Sequence, residues 1–332
     1  MNIELVQKLQ GSKLNKWKIF LVNAHLSPDG QTDSTVLVWE NDEIIASGSR
    51  YGNLLKCIAV DENHRGEDLT ATVLTTLRQD AFQNGFSHLF LYTKPENKLL
   101  FSSLLFYPIA QTDSVLLMEN KKGGIDEFLA GLPREKSGGK VGSLVMNCNP
   151  FTLGHRYLAE TASKECDRVY IFVLSEDKSR FSAKDRMEMV KRGTKDLENV
   201  TVLPTGPYLI SSATFPTYFL KETANVSDVQ CKLDIEVFAK YFVPEFSITH
   251  RYVGSEPLCP VTESYNRLLA ENLPKHNVEM IEVTRKEEEG SPISASLVRK
   301  LIDDGKIEEA QKLLPKTTFE YLMENNLIGV KL

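Results

Sequence analysis

The stretch VGSLVMNCNPFTLGHRYLA, Val141 to Ala159, decides the fold expected for this chain. An apolar run (Val141, Leu144, Val145, Met146) meets a polar turn (Asn147, Cys148, Asn149, Pro150), and Thr152-Leu153-Gly154-His155 then opens an amphipathic segment. That order predicts a strand, a tight loop and a helix start. The first N–H groups of a helix have no intrahelical partner and lie at the positive end of its dipole, so the point suits a phosphate. His155 and Arg156 stand beside it.

Downstream, apolar strands alternate with helices. Strands are expected at Arg168–Leu174, Val200–Pro204, His250–Gly254 and Val278–Val283, and helices at Ser182–Lys191, Thr214–Ala224 and Asp234–Phe242. This alternation predicts a doubly wound parallel sheet with ligands at the carboxyl ends of its strands. Upstream the pattern differs. Trp17–Val22, Thr35–Trp39, Ile44–Gly48 and Leu54–Val60 read as β-runs separated by turn residues, an antiparallel meander. A helix over Leu69–Gln83 follows, with Leu69, Val73, Leu74, Leu77 and Ala81 on one face and Gly85 as its stop, then a strand (His88–Thr93), a short helix (Asn97–Leu105) and a closing strand (Ser114–Glu119). Between them, Leu-Pro-Arg-Glu-Lys-Ser-Gly-Gly-Lys at 132–140 is polar and turn-rich, which places a first domain at 1–132, a linker at 133–140 and a second domain at 141–332.

Composition narrows the function classes. A chain of 332 residues suffices for two cores, and a net charge of −6 argues against a general nucleic-acid binder. No apolar run reaches the roughly 18 residues a membrane helix needs, and the first twenty residues lack a signal-peptide core, so a cytoplasmic protein is expected. The five cysteines are scattered with no CxxC pair, which disfavours a disulfide framework and a zinc site, and no metal-ligand set is expected. Cys148 reads as a small buried thiol, since no base can be paired with it.

A second strand-to-helix junction gives the first its weight. In Ile293-Ser294-Ala295-Ser296-Leu297-Val298-Arg299 two hydroxyls stand at a helix start, with Arg299 one turn in, which makes a second anion pocket. The two stretches, about 140 residues apart, resemble the (His/Thr)-x-Gly-His and Ile-Ser-x-(Ser/Thr)-x-x-Arg signatures of the nucleotidyltransferase superfamily. The resemblance implies that His155 stabilises the pentacoordinate α-phosphoryl group, that Thr152 donates to phosphate where many relatives carry histidine, and that Arg299 assists. It also implies that ATP lies among Asn147, Asn149, Pro150, Phe151, Gly154, Ile293, Ser294 and Ser296, with Mg²⁺ on its phosphates. Arg180 and Arg186 are its expected partners for departing pyrophosphate, and Gly254 and Glu256 are expected to border the nucleotide.

Residues 17–120 resemble the acyl-CoA N-acyltransferase (GNAT) fold. Its pyrophosphate turn, Arg/Gln-x-x-Gly-x-Gly/Ala in that family, here reads His64-Arg65-Gly66-Glu67-Asp68-Leu69, and Asp68 replaces the second glycine with a group that crowds and repels pyrophosphate. A GNAT-like α+β domain followed by a Rossmann-like nucleotidyltransferase domain is similar to the citrate (pro-3S)-lyase ligase family. So are Asn149–Leu158, Ser179-Arg180-Phe181 with Asp185-Arg186, and Ile210–Phe219. The resemblance implies a reaction in which ATP and acetate form acetyl-adenylate, and the thiol of the CoA-like prosthetic group on the acyl carrier subunit of citrate lyase then takes the acetyl group. Ser211, Thr214 and Tyr218 are the expected acetate residues. An adenylyltransferase acting on phosphopantetheine or nicotinamide mononucleotide, and a GNAT acetyltransferase, remain alternatives. The altered turn fits either a modified coenzyme or loss of coenzyme binding.

Overall fold

Short runs rich in β-branched and aromatic residues, broken by Asn, Asp and Gly, build the front of the chain. The elements are β1 (Asn2–Val6), α1 (Gly11–Asn23), β2 (Ser34–Glu40), β3 (Glu43–Tyr51), β4 (Leu54–Val60), α2 (Leu69–Gln83), β5 (Phe90–Thr93), α3 (Lys98–Ser103), β6 (Tyr107–Gln111), β7 (Leu116–Glu119) and α4 (Gly124–Ala130). They come from a computed structural model that describes residues 1–26, 28, 31–135, 138–177, 179–211, 226–255, 260–288 and 291–329. Among these residues seven strands form one sheet in the order β1-β2-β3-β4-β5-β7-β6. Every neighbouring pair is antiparallel except β4 and β5.

The expected strand at Trp17–Val22 is instead the carboxyl-terminal half of α1. Trp17, Phe20 and Leu21 are buried while Ile19 and Val22 are exposed, a one-sided burial with helical and not twofold period. The expected α2 forms over the predicted residues and lies on β3 because Gly48 has no side chain: a Cβ there would stand 2.5 Å from Val73 Cγ1 and 3.0 Å from Leu77 Cδ1. β1, β6 and α4 were not expected from the pattern.

In the parallel pair only Leu54–Phe90 and Leu55–Leu91 are in register. Beyond them β4 stays with β3 and β5 with β7, so the two strands diverge and open a cleft between Ile58–Val60 and Tyr92–Thr93. This is the GNAT-like layout.

The rest of the chain runs β8 (Val141–Met146), α5 (Leu153–Glu165), β9 (Arg168–Val173), α6 (Ala183–Gly193), β10 (Val200–Pro204), α7 (Val226–Val237), a π turn at Phe238–Phe242, α8 (Val243–Phe246), β11 (His250–Gly254), α9 (Pro260–Asn272), β12 (Glu279–Val283), β13 (Glu287–Glu288), β14 (Ser291–Pro292), α10 (Ala295–Asp303), α11 (Ile307–Lys312) and α12 (Lys316–Glu324). Five strands lie parallel in the order β10-β9-β8-β11-β12. The chain therefore builds from β8 outward to β10, then returns to the other side of β8 for β11 and β12. The reversal falls between β8 and β11, and a crevice at that point on the carboxyl side is where such sheets bind ligands.

By packing, residues 1–127 and α7 form one unit, while 128–211 and the chain from 238 onward form the other. Each has its own core: Val36, Val73, Leu77 and Phe106 in the first, Leu144, Phe151, Ile171 and Val298 in the second.

Candidate adenylating site

Thr152 caps α5 in an extended conformation, φ −105°, and it and His155 close a capping box. The His155 N–H donates to Thr152 Oγ1 at 3.4 Å, and the Thr152 N–H donates to His155 Nδ1 at 3.0 Å. Because Nδ1 accepts this backbone N–H, it carries no proton, and the Thr152 hydroxyl at 2.9 Å donates to it as well. The neutral ring must then carry its proton on Nε2. Burial, aided by the cation of Arg285, pushes the His155 pKa down to about 4. Around neutral pH the side chain is therefore an uncharged imidazole whose Nε2–H is a donor.

Phe151 stacks on this ring, centroids 5.9 Å apart and planes 18° from parallel. It is fully buried, and it fits only because Gly193 at the end of α6 has no Cβ. Gly154 has a similar role on the other side: a Cβ there would sit 3.3 Å from the Ile293 carbonyl. The two signature stretches thus meet at Gly154 and Ile293. Ser294 caps α10 by accepting from the Leu297 N–H at 3.1 Å, and Arg299 donates to Ser296 Oγ at 3.0 Å and to the Asn149 carbonyl at 2.5 Å. The N–H groups of Gly154, Ala295 and Ser296 stand in the first turns of α5 and α10, where helices present donors to anions.

Asn149 is the junction of the loop. Its carbonyl receives Arg299, its Oδ1 accepts from the Phe181 N–H at 3.2 Å, and it precedes Pro150 through a cis peptide bond. Arg186 is not beside solvent. It is fully buried and donates to the Asn147 carbonyl and Oδ1 at 3.0 and 2.6 Å, to the Glu176 carbonyl at 2.6 Å and to the Phe181 carbonyl at 3.1 Å. It ties Glu176 and Phe181 to the end of β8. Arg180 pairs with Asp303 at the end of α10 and lies over the Phe181 ring. Arg156 is bound to Asp196, Glu160 and the Gly193 carbonyl. Burial raises the Cys148 thiol pKa, so it stays protonated and inert.

Gly254 ends β11, its carbonyl accepting from Asn266 Nδ2 at 3.1 Å. Ser211 is buried and donates to the Pro207 carbonyl at 2.8 Å. Glu256, Thr214 and Tyr218 lie outside the described residues, as does the helix expected at 214–224. Sequence reading missed Arg285 and its clamp on Ser255. The available signal was a basic residue just past the carboxyl end of a parallel strand, where ligands bind. Among the described residues no group of three or more His, Cys, Asp or Glu side chains is placed to hold a metal ion.

The front unit has a cleft of about 1210 Å³ at the diverging ends of β4 and β5. Its floor carries Ile58, Val60 and Tyr92, and one wall is the 61–68 turn. Asp68 there holds a left-handed conformation, φ +55°. His64 bridges Glu40 at 3.1 Å and Asp61 at 3.2 Å, and these carboxylates raise its pKa.

Residues 141–322 match the family described as citrate lyase ligase C-terminal domain. The citrate (pro-3S)-lyase ligase of Klebsiella pneumoniae is 40% identical over 311 residues, covering 92% of this chain and 91% of that protein. The chain belongs to the citrate lyase ligase family. As a member of that family it is an enzyme, an acid–thiol ligase. The Escherichia coli K12 citrate (pro-3S)-lyase ligase is 36% identical over 324 residues, 96% of this chain and 92% of that one. A solved acyl-CoA N-acyltransferase from Pseudomonas aeruginosa covers 36% of this ligase-family chain and 99% of its own, with 11% identity and a TM-score of 0.33. No helix among the described residues of this family member is long and apolar enough to cross a membrane.

Proposed function

We propose that the chain uses ATP to activate acetate and passes the acetyl group to the thiol of the CoA-like prosthetic group on the acyl carrier subunit of citrate lyase. The observation that carries the reading is the meeting of two helix N-termini at the sheet reversal, with the Nε2–H donor of His155 beside them. Relatives named citrate (pro-3S)-lyase ligase that align along nearly the whole chain support it. We assign adenylation to the second unit, which holds residues 128–211 and the chain from 238 onward, and the acyltransferase-like role to the first, which holds residues 1–127 and also packs α7; the bounds read from the sequence, 1–132, 133–140 and 141–332, differ from these units at 128–132 and at α7.

In the first step an acetate oxygen attacks the α-phosphorus of ATP, the bond to the bridging oxygen breaks, and pyrophosphate leaves. Charge grows on the α-phosphoryl oxygens, where the Nε2–H of His155 and the first-turn N–H groups of α5 and α10 are donors; Thr152, expected to donate to phosphate itself, instead spends its N–H and hydroxyl on His155 Nδ1 and acts by holding that ring. In the second step the thiol sulfur attacks the carbonyl carbon of acetyl-adenylate; AMP leaves and the thiol proton is released. Neither step needs a protein nucleophile. Magnesium enters with ATP as the substrate MgATP, and no step is assigned to a protein-held metal. Ser211, Thr214 and Tyr218 are proposed for acetate, and Asn147, Pro150, Phe151, Gly254 and Glu256 for the nucleotide. Arg180, which pairs with Asp303, is proposed to turn toward pyrophosphate when it leaves.

The front cleft supplies a place for the incoming arm. Between β4 and β5 the open strand edges offer backbone donors and acceptors to an amide-bearing chain that ends in a thiol.

Acetate-dependent exchange of labelled pyrophosphate into ATP is the test. Exchange is expected with MgATP and acetate, and His155→Ala should lower it about 10²-fold or more. Folded protein that gives no exchange, or a His155→Ala variant with the parental rate, overturns the reading. Exchange driven by phosphopantetheine or nicotinamide mononucleotide and not by acetate would make the chain an adenylyltransferase.

A further inference from the structure

Arg156, Arg180, Arg186 and Arg299 are held by protein groups, and a fifth arginine, Arg285, is likewise held, by Ser255 among others. It lies two residues beyond β12. Its backbone N–H donates to Ser255 Oγ at 3.2 Å and its Nε to the Ser255 carbonyl at 2.6 Å. Ser255 is itself tied to the neighbouring strand by its N–H on the Val283 carbonyl at 2.9 Å. The Arg285 stem passes close to Gly254, with Cγ 4.0 Å from where a Cβ on that glycine would stand. Two points on one serine thus fix the position of the arginine backbone and the plane of its guanidinium.

The chain from Arg285 leads to the start of α10. The Lys286 carbonyl accepts from the Ile293 N–H at 3.1 Å and closes the β13–β14 hairpin, Ile293 contacts Gly154, and Ser294 begins α10. Arg285, the start of α10 and the start of α5 therefore surround one crevice at the reversal between β8 and β11. The charge of Arg285 reaches the His155 ring, where it helps keep the imidazole neutral. A guanidinium and a neutral N–H donor that share one crevice suit an anion, since the first supplies charge and forked donors and the second a directed hydrogen bond.

We propose that Arg285, held by Ser255, contacts the same α-phosphoryl group as His155 and neutralises the charge that builds there as pyrophosphate leaves. The inference rests on the adenylation reading, and it adds a residue to that site. Ser255 is a positioning residue: it acts through Arg285.

Arg285→Met and Arg285→Lys, each checked for parental melting, test the proposal with three readouts. In Arg285→Met, acetate-dependent exchange should fall about 10²-fold, MgATP should bind about tenfold more weakly, and the imidazole of His155 should titrate closer to its ordinary pKa. Arg285→Lys should restore the titration while recovering only a fraction of the exchange, because lysine keeps the charge and loses the fork. Ser255→Ala should weaken exchange less than Arg285→Met does. Arg285→Met with exchange and MgATP binding within twofold of the parent overturns the proposal. If the parent itself shows no acetate-dependent exchange, the adenylation reading fails, and direct MgATP titration still decides about Arg285: weaker binding by Arg285→Met supports it, equal binding overturns it. Should Arg285→Met not fold, Arg285→Lys and Ser255→Ala carry the same comparison.

Discussion

Acid titration of His155 tests the capping-box geometry most directly. With the native pKa near 4 and the ordinary value at 6.5, an unfolded chain binds a proton at this ring between those two values while the native chain does not. Stability from this group is thus fully present above pH 6.5 and is lost as pH falls from 6.5 toward 4. At about 1.4 kcal/mol per pH unit the full window is worth up to about 3 kcal/mol. Water on the open side of the half-buried ring makes that an upper limit. Two-dimensional NMR of ¹⁵N-labelled histidine, with His155 assigned by comparison with His155→Gln, reads both the proton affinity and the tautomer. Expected is a ring protonated on Nε2 that does not titrate above pH 5, together with a smaller acid-induced loss of stability in His155→Gln than in the parent. A titration midpoint at or above 6.5 would refute the burial and Arg285 charge as what holds the ring neutral, and a proton on Nδ1 would mean that Nδ1 does not accept from the Thr152 N–H.

Two further substitutions separate support from ligand contact. Gly193→Ala places a methyl 2.5 Å from Phe151 Cε1, a ring with no free side to move to; about 1–3 kcal/mol of stability should be lost and exchange slowed through the stacked His155, and an unchanged melting temperature would count against this packing. Arg186→Met leaves the carbonyls of Asn147, Glu176 and Phe181 without their donor, so about 3 kcal/mol or more should be lost and the 176–181 segment should become protease-sensitive. Unaltered stability with abolished MgATP binding would instead make Arg186 a phosphate ligand.

Regular elements were legible where one period ran without competition. Leu54–Val60, Leu69–Gln83, Val141–Met146, Val200–Pro204 and His250–Gly254 form over the expected residues. The stretch Trp17–Val22 misled because its six residues are apolar or long-chained at nearly every position, so twofold and helical periods fit equally until the buried side is known. β1 and β6 are five residues each, β6 with a proline at its second position, and did not stand out; they exist because neighbouring strands pair with them. The arginines divided for a similar reason. Arg180, Arg186 and Arg299 are the same residue type in comparable polar surroundings in the sequence, yet one pairs with Asp303, one is buried under three carbonyls and one braces Asn149.

The residue types themselves determined the parallel sheet, the two strand-to-helix junctions and the donor character of each helix start, because periodicity, capping and the helix dipole act over a few neighbouring residues. Only the tertiary structure decided that the junctions at Thr152–His155 and Ile293–Arg299 meet at Gly154 and Ile293, that the His155 ring is stacked on Phe151, and that the charge of Arg285 reaches it. Those outcomes depend on strand order, on which atoms come to pack against Gly154 and Gly193, and on hydrogen bonds between residues far apart in the chain, none of which local sequence encodes.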